Sequence, residues 1–186
     1  MAQRLSSNCN VRLWRSEIPH AIYEHERDSS TVNLFCAVSS SNMFGPFFFA
    51  EKTVTGFVYL DMLQIYLMAI LKVTMPDNIF QQDGAPCHFQ NEVTSYLNDE
   101  VPIWIGSGGV IPWPARSPDL TLLDFNVWGF VKDQVYHPPL SKTIPELKSR
   151  IIPALGLIDV NMLANIWQEL IYRWDISREG SYIAHL

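Results

Sequence analysis

The sequence is poor in charged side chains and in cysteine. Charged residues make up 17% of its 186 residues and hydrophobic residues 48%, whereas an average soluble protein is about 25% charged. Three cysteines, Cys9, Cys36 and Cys87, are too few and too widely spaced for a disulfide framework or a zinc knuckle. The composition therefore excludes a disulfide-stabilised scaffold and a disordered chain, and it predicts one folded domain with reduced thiols.

An excess of positive charge and an uninterrupted apolar run are also lacking. Lys and Arg total 13 against 19 Asp and Glu, so the net charge is −6 and no basic field indicates a nucleic-acid partner. The first ten residues lack the apolar core of a secretory signal. The most apolar stretch, 57–73, is interrupted by Asp61, Gln64 and Lys72. Because such side chains are costly in a bilayer core, we expect neither secretion nor a membrane span.

Hydrophobic periodicity and turn residues predict an α/β protein. Residues 31–38 and 45–50 are rich in strand formers and flank the turn 39–42, which predicts an antiparallel hairpin. Apolar residues recur at three and four from Thr55 onward, which predicts an amphipathic helix that Met75-Pro-Asp-Asn78 ends. Strands are predicted at 79–83 and 103–105, on either side of a helix at 90–97. This alternation favours a mixed sheet covered by helices.

Helix-start signals mark the second half of the chain. Ser117 followed by proline opens one helix, with its apolar face at Leu120, Leu123, Val127, Phe130 and Val131. Thr143 and Glu146 match a capping box, and Asp159 is placed to cap the last helix. Pro153 falls inside the helical pattern that Thr143 opens, which we expect it to kink or split.

The familiar catalytic signatures are missing, and carboxylates remain. The chain has no glycine-rich phosphate loop, no Gly-x-Ser-x-Gly elbow and no His-Glu-x-x-His helix. Asp83 follows a predicted strand and precedes a tight turn and His88, while Asp119 and Asp124 lie at a helix start. Two hard oxygen ligands could hold Mg²⁺ and activate a water or hydroxyl. From local sequence alone, an Asp before Gly is more often a turn former.

Three segments carry a family resemblance. They are Gln81-Gln-Asp-Gly-Ala-Pro-Cys-His-Phe89, then Trp104-Ile-Gly106, and then Trp113-Pro-Ala-Arg-Ser-Pro-Asp-Leu-Thr-Leu-Leu-Asp-Phe-Asn-Val-Trp-Gly129. Upstream, Asn10-Val-Arg-Leu-Trp14 and Gly45-Pro-Phe-Phe-Phe49 extend the likeness over most of the chain. The sequence thus resembles the transposases of the mariner superfamily.

The resemblance implies a ribonuclease H-like fold and DNA strand transfer by three carboxylates that bind two divalent metals, Mg²⁺ or Mn²⁺. The second family carboxylate corresponds to Asp83. The third corresponds to Asp124 rather than Asp119, which already suits a helix start. These two are the expected catalytic residues and metal ligands. The implied partners are transposon-end and target DNA and a second copy in a homodimer, and the implied location is the nucleus.

The first family carboxylate has no counterpart here. In the family it lies on the opening strand, and counting back from the position matched by Asn10 runs past Met1. Asp28 and Glu51 are the nearest upstream acids, and neither matches the motif. We therefore expect residues 1–186 to be a single, truncated catalytic domain that lacks its first strand and the preceding helix-turn-helix. Without one ligand, little or no strand transfer is expected from this chain alone.

Alternatives stay open at several positions. His88 could position a phosphate or a carboxylate near Asp83, or simply satisfy loop hydrogen bonds. Arg116 could contact a phosphate or lie free on the surface, and Cys87 beside His88 could suggest a soft-metal site, although no second Cys-His pair exists. Trp104, Trp113 and Trp128 could stack on DNA bases or pack in the core. The alternative for the whole chain is a non-catalytic nucleic-acid- or protein-binding remnant of a transposable element, which the net charge of −6 favours modestly.

Overall fold

The computed structural model describes residues 2–5, 31–113 and 120–178. Three antiparallel strands form one sheet in the order β1 (Ala2–Leu5), β2 (Val32–Val38) and β3 (Met43–Phe48). The predicted hairpin is confirmed. Its turn is closed by Ser39, whose backbone N–H donates to the Asn42 carbonyl at 2.8 Å and whose hydroxyl accepts from the Asn42 N–H at 2.9 Å.

Strand β1 is a feature that the sequence analysis does not predict. It pairs with the edge of β2 that β3 leaves open, with Ala2 opposite Phe35 and Leu5 opposite Val32. None of its four residues is acidic, so β1 supplies no carboxylate. The expectation that the acid-bearing strand of the family is missing stays a prediction.

A second, parallel sheet pairs β4 (Phe80–Gln81) with β5 (Trp104–Ile105). Both strands lie where they were predicted but are shorter. The α/β class is confirmed, although within the described ranges the strands form two small sheets rather than one continuous mixed sheet. The pairing of β4 and β5 fixes where Asp83 emerges, because Gln82 N–H still donates to the Ile105 carbonyl at 3.0 Å.

Helices account for most of the remaining described residues. They are α1 (Gly56–Thr74, with a π-helical turn at Leu63–Leu67), α2 (Asn91–Glu100), α3 (Trp128–Val135), α4 (Ile144–Gly156) and α5 (Val160–Arg178). A 3₁₀ turn, Pro86–Phe89, precedes α2, and a second π-helical turn, Leu123–Val127, runs directly into α3. The predicted helix start at Ser117 lies outside the described residues.

Helix α1 is long and apolar enough to cross a membrane, with a mean hydropathy of 1.5 over a window of its 19 residues. Helices α4 and α5 pass the same test only when taken together across a bend of 78°. The apolar side chains of α1 have partners in the protein, because Tyr59, Met62 and Leu67 are buried in the core. A core helix needs such residues whether or not a membrane is near, and the absence of a membrane span stays a prediction.

The alternation of side chains along β2 builds two cores. Leu34 and Cys36 face a cluster formed with α3, α4 and α5, whereas Phe35 faces a cluster formed with α1, α2, β4 and β5. Successive residues of a strand point to opposite faces of its sheet. Helices therefore cover both faces of the antiparallel sheet, as the α/β pattern predicts.

Two of the predicted helix starts are confirmed by side-chain caps. Thr143 Oγ1 accepts from Glu146 N–H at 3.3 Å, and Asp159 Oδ1 accepts from Met162 N–H at 2.7 Å. The predicted split at Pro153 is wrong, since α4 continues to Gly156, and a kink there stays a prediction. Pro153 and Ser149, whose carbonyl loses its helical donor, are both exposed, so water can satisfy that carbonyl and the lost hydrogen bond costs little.

Candidate active site

Asp83 lies where β4 ends. The chain turns immediately after this strand, and Asp83 Oδ1 accepts from Ala85 N–H at 3.2 Å, a local bond typical of an Asx turn. The side chain is 14% exposed. Asp83 is therefore both the turn former that local sequence indicates and a carboxylate held at the carboxyl end of a buried strand, where α/β folds place their sites.

The 3₁₀ turn Pro86–Phe89 brings His88 back to Asp83. The imidazole is fully buried, and its Nδ1 lies 2.8 Å from Asp83 Oδ1 and 2.9 Å from the Asp83 carbonyl oxygen. His88 therefore satisfies the loop and also contacts the Asp83 carboxylate, while a role in positioning a ligand stays a prediction. Burial alone would lower the pKa of His88, but the hydrogen bond to Asp83 raises it to about 9.

The same pair sets the charge state of Asp83. Burial works to raise the pKa of this carboxyl, but the hydrogen bond and the positive charge of His88, together with the Ala85 N–H, bring the pKa below its usual value. Asp83 is therefore ionised over the physiological range, as a metal ligand must be.

Tyr59 and Gln82 complete a buried polar cluster that the sequence analysis missed. The Tyr59 ring lies 4.4 Å from the His88 ring, centroid to centroid, and the Tyr59 hydroxyl donates to Gln82 Oε1 at 3.3 Å. Both side chains are buried. Tyr59 falls on the apolar face of a predicted helix and Gln82 at a strand end, so no local signal distinguishes either from a packing residue.

Asp124 lies in the π-helical turn Leu123–Val127, and its N–H donates to the Thr121 carbonyl at 2.9 Å. The side chain is half-buried. Burial and, next, the negative charge of Asp83 raise the pKa of Asp124 to about 6, while Lys132 works weakly in the opposite direction. Residues 41 positions apart in sequence thus interact electrostatically in the folded chain.

The remaining candidate site residues are either packed in the core or lie outside the described residues. Trp104 and Trp128 are 0% and 1% exposed, so for these two the packing interpretation is confirmed, and Trp113 is half-buried. Arg116 and Asp119 lie outside the described residues. Cys87 is buried, and within 31–113 and 120–176 no group of three or more His, Cys, Asp or Glu side chains is arranged to hold a metal.

The pair of aspartates has the chemistry of a small divalent-cation site. In the described part of the chain, Asp83 Oδ1 is engaged by His88 and Ala85 while Oδ2 has no hydrogen-bond partner. The negative charge of Asp83 raises the pKa of Asp124, and a cation between the two carboxylates would remove this repulsion. Mg²⁺ prefers hard oxygen ligands and keeps several waters, so that one or two carboxylates suffice.

A comparison with known sequences finds similarity to a transposase. The chain is 29% identical over 120 residues to the Tc3 transposase of Caenorhabditis elegans, a match that covers 63% of this chain and 34% of that protein. No known family profile matches the sequence.

Solved structures of Mos1 transposase share the fold. A paired-end complex with the left transposon end superposes with a TM-score of 0.73 and 18% identity, over 97% of this chain and 54% of that one. The Mos1 catalytic domain with raltegravir and Mg superposes with a TM-score of 0.65 and 22% identity, over 82% and 77%. The chain thus spans about a third of the Tc3 protein and about half of the full Mos1 chain.

The fold is that of a ribonuclease H-like catalytic domain, with a carboxylate pair at its candidate site. Within that class, the sequence similarity to Tc3 transposase and the shared Mos1 fold support a transposase of the mariner superfamily.

Proposed function

We propose that this chain is a portion of a transposase catalytic domain that cleaves and joins DNA phosphodiesters with the help of divalent cations bound by Asp83 and Asp124. The observation that carries the proposal is the position of Asp83 just after β4, where His88 Nδ1 at 2.8 Å and Ala85 N–H at 3.2 Å hold its Oδ1. Asp124 comes from a different element of the fold, and the charge of Asp83 raises its pKa. Both correspond to family carboxylates in motif position, and the Tc3 and Mos1 likenesses support the assignment.

The residues present fit a cation. Asp83 is ionised and anchored through Oδ1, and its Oδ2 has no hydrogen-bond partner among the described residues. Asp124 is half-buried, and its pKa is raised by burial and by the charge of Asp83. A bound Mg²⁺ or Mn²⁺ would polarise a phosphate oxygen and favour deprotonation of the attacking water or hydroxyl. Structures of the Mos1 catalytic domain with Mg and with Mn support this choice of ion.

The fold holds Asp83 and Asp124 in place and shields them in part from water. The short β4–β5 pairing holds Asp83 at one fixed point, and the π-helical turn holds Asp124 at another. Gln82 and His88 are buried beside Asp83, whereas the Asp83 side chain is 14% exposed and can be reached by water. Pre-positioned ligands lower the reorganisation needed when charge develops on the phosphate.

The partners and location follow from the same proposal. Mos1 transposase is known in complexes with transposon-end DNA and in a strand transfer complex, which supports DNA as the partner here. We propose transposon ends and target DNA as substrates, a homodimer as the assembly and the nucleus as the location. The net charge of −6 means that phosphate contacts must be local rather than spread over a basic surface.

Binding of Mn²⁺, measured by the loss of the free-ion electron paramagnetic resonance signal, tests the site. Wild type is expected to bind Mn²⁺, and Asp83→Asn is expected to fall to the level of the double variant Asp83→Asn/Asp124→Asn. Asp77→Asn, an exposed aspartate just before β4, serves as the matched control and should bind like wild type. If wild type and Asp83→Asn bind equally, the site is not at Asp83.

Strand cleavage by the isolated chain is a separate question. We expect little or no nicking of supercoiled plasmid in Mg²⁺ or Mn²⁺, because the family uses three carboxylates and two are matched here. Removing one ligand from such a site typically costs several kcal/mol of transition-state stabilisation, on the order of 10²–10⁴ in rate. Nicking that Asp83→Asn abolishes would contradict the expected inactivity and support the metal site.

A further inference from the structure

The buried imidazole of His88 contacts Asp83 through its Nδ1 atom. Its side chain is fully buried, and Nδ1 contacts both Asp83 Oδ1 at 2.8 Å and the Asp83 carbonyl at 2.9 Å. Its other ring nitrogen, Nε2, is buried with no hydrogen-bond partner among the described residues. Burying an unpaired polar atom costs free energy that an apolar side chain at the same position would avoid.

Contacts of its backbone and of its ring hold His88 next to Asp83. Its backbone N–H donates to the Ala85 carbonyl at 2.9 Å, which closes the 3₁₀ turn. On one side the Tyr59 ring lies 4.4 Å from the imidazole, and Tyr59 is itself tied to Gln82 by a hydrogen bond across 23 residues of sequence. The imidazole thus packs against Tyr59 while its Nδ1 contacts Asp83.

This contact divides the two oxygens of Asp83 between two tasks. Oδ1 accepts from His88 Nδ1 and from Ala85 N–H, which fixes the side-chain torsion, and Oδ2 is left without a partner in the described part of the chain. A carboxylate used only as a turn former needs the Ala85 bond alone. The second donor, the buried His88 Nδ1, is explained if Asp83 Oδ2 must point in a fixed direction.

We propose that His88 is a positioning residue that locks Asp83 through Oδ1 and thereby presents Oδ2 to the divalent cation. The inference rests on the proposed metal site and adds to it a supporting residue and the oxygen that binds. Partners behind a metal ligand restrict its orientation and reduce what the ligand loses in conformational freedom on binding. A donor at Nδ1 also favours the ionised carboxylate that a cation requires.

A matched pair of substitutions separates this role from packing. Leucine and asparagine have nearly the same shape, and only asparagine carries a donor near the place of Nδ1. We expect His88→Leu to weaken Mn²⁺ binding by about 10–100-fold, the usual loss when the partner of a metal ligand is removed. His88→Asn is expected to bind clearly more tightly than His88→Leu, although both change the packing against Tyr59 similarly.

Ile151→Val is the control for stability. It removes a methyl group from the core that α4 forms with α3 and α5, and it leaves Tyr59 and the His88–Asp83 contact unchanged. Thermal unfolding is expected to shift for this variant while Mn²⁺ affinity stays at the wild-type value. A general loss of core packing would instead lower the affinity of all three variants together.

The outcomes distinguish the inference from the proposed function. If wild type binds Mn²⁺ and His88→Leu binds equally well, or if His88→Leu and His88→Asn weaken binding equally, His88 does not position Asp83 and the metal site stands. If wild type binds no Mn²⁺, the metal site fails and the role of His88 fails with it. Weaker binding by His88→Leu with recovery in His88→Asn supports both.

Discussion

Asparagine in place of Asp124 is expected to abolish Mn²⁺ binding and at the same time to stabilise the cation-free protein. Burial and the charge of Asp83 raise the pKa of Asp124 to about 6, so above that pH the folded state holds an ionised carboxylate in an unfavourable place. The neutral amide removes this penalty. Allowing for solvent screening of a half-exposed group, the gain is on the order of 1 kcal/mol.

The test is specific because Asp124→Asn is expected to lower Mn²⁺ binding and to raise the free energy of unfolding. Urea denaturation at about pH 8, where the carboxylate is ionised, measures the stability of cation-free wild type and Asp124→Asn, and Mn²⁺ titration measures binding. Asp133→Asn, an exposed aspartate on α3, is the matched control and should change neither quantity. Loss of stability in Asp124→Asn would mean that Asp124 is a structural residue and not a strained cation ligand.

Trp104→Ala is expected to destabilise the protein by about 3–5 kcal/mol, the usual cost of deleting a large buried aromatic side chain. Trp104 is fully buried in β5, and its Nε1–H donates to Asn98 Oδ1 at 2.9 Å. A Cβ added at Gly106 or Gly109 would lie 2.6 Å and 2.9 Å from its ring. The loop after β5 therefore packs closely against the indole. Loss of the indole leaves a cavity beside β4, the strand that precedes Asp83.

Chemical denaturation measures the effect, with Trp174→Ala as the comparison. Trp174 is 36% exposed on α5, so its removal should change the unfolding free energy by much less than the loss of Trp104. Because β5 pairs with β4, Trp104→Ala should also weaken Mn²⁺ binding at Asp83. Similar losses for the two variants would show that Trp104 is not a core residue of this fold.

Local patterns predicted most of the individual elements. The hairpin around Ser39, the helix after Thr55 and the caps at Thr143 and Asp159 all depend on residues within four positions of one another, and such signals are legible in a single sequence. Pro153 was misjudged for the complementary reason. Whether a proline breaks a helix depends on which face it occupies, and that face is set by packing.

The candidate site was predicted only in part. Motif position singled out Asp83 and Asp124, but it left His88 with two interpretations and gave no sign of Tyr59 or Gln82. The contacts that decide these roles join residues far apart in sequence, such as Tyr59 and Gln82 across 23 positions. A tyrosine on an apolar helical stripe looks the same whether or not its hydroxyl meets a buried amide.

By itself, the sequence determined the local conformations, the apolar faces that had to be buried and the two aspartates that match the family. Tertiary structure alone decided that the charge of Asp83 acts on Asp124, that His88 engages one oxygen of Asp83 and leaves the other open, and that the strands divide into two sheets. The reason is physical. Helix periodicity and capping act within a few residues, whereas electrostatic coupling and burial depend on distances that exist only after the chain has folded.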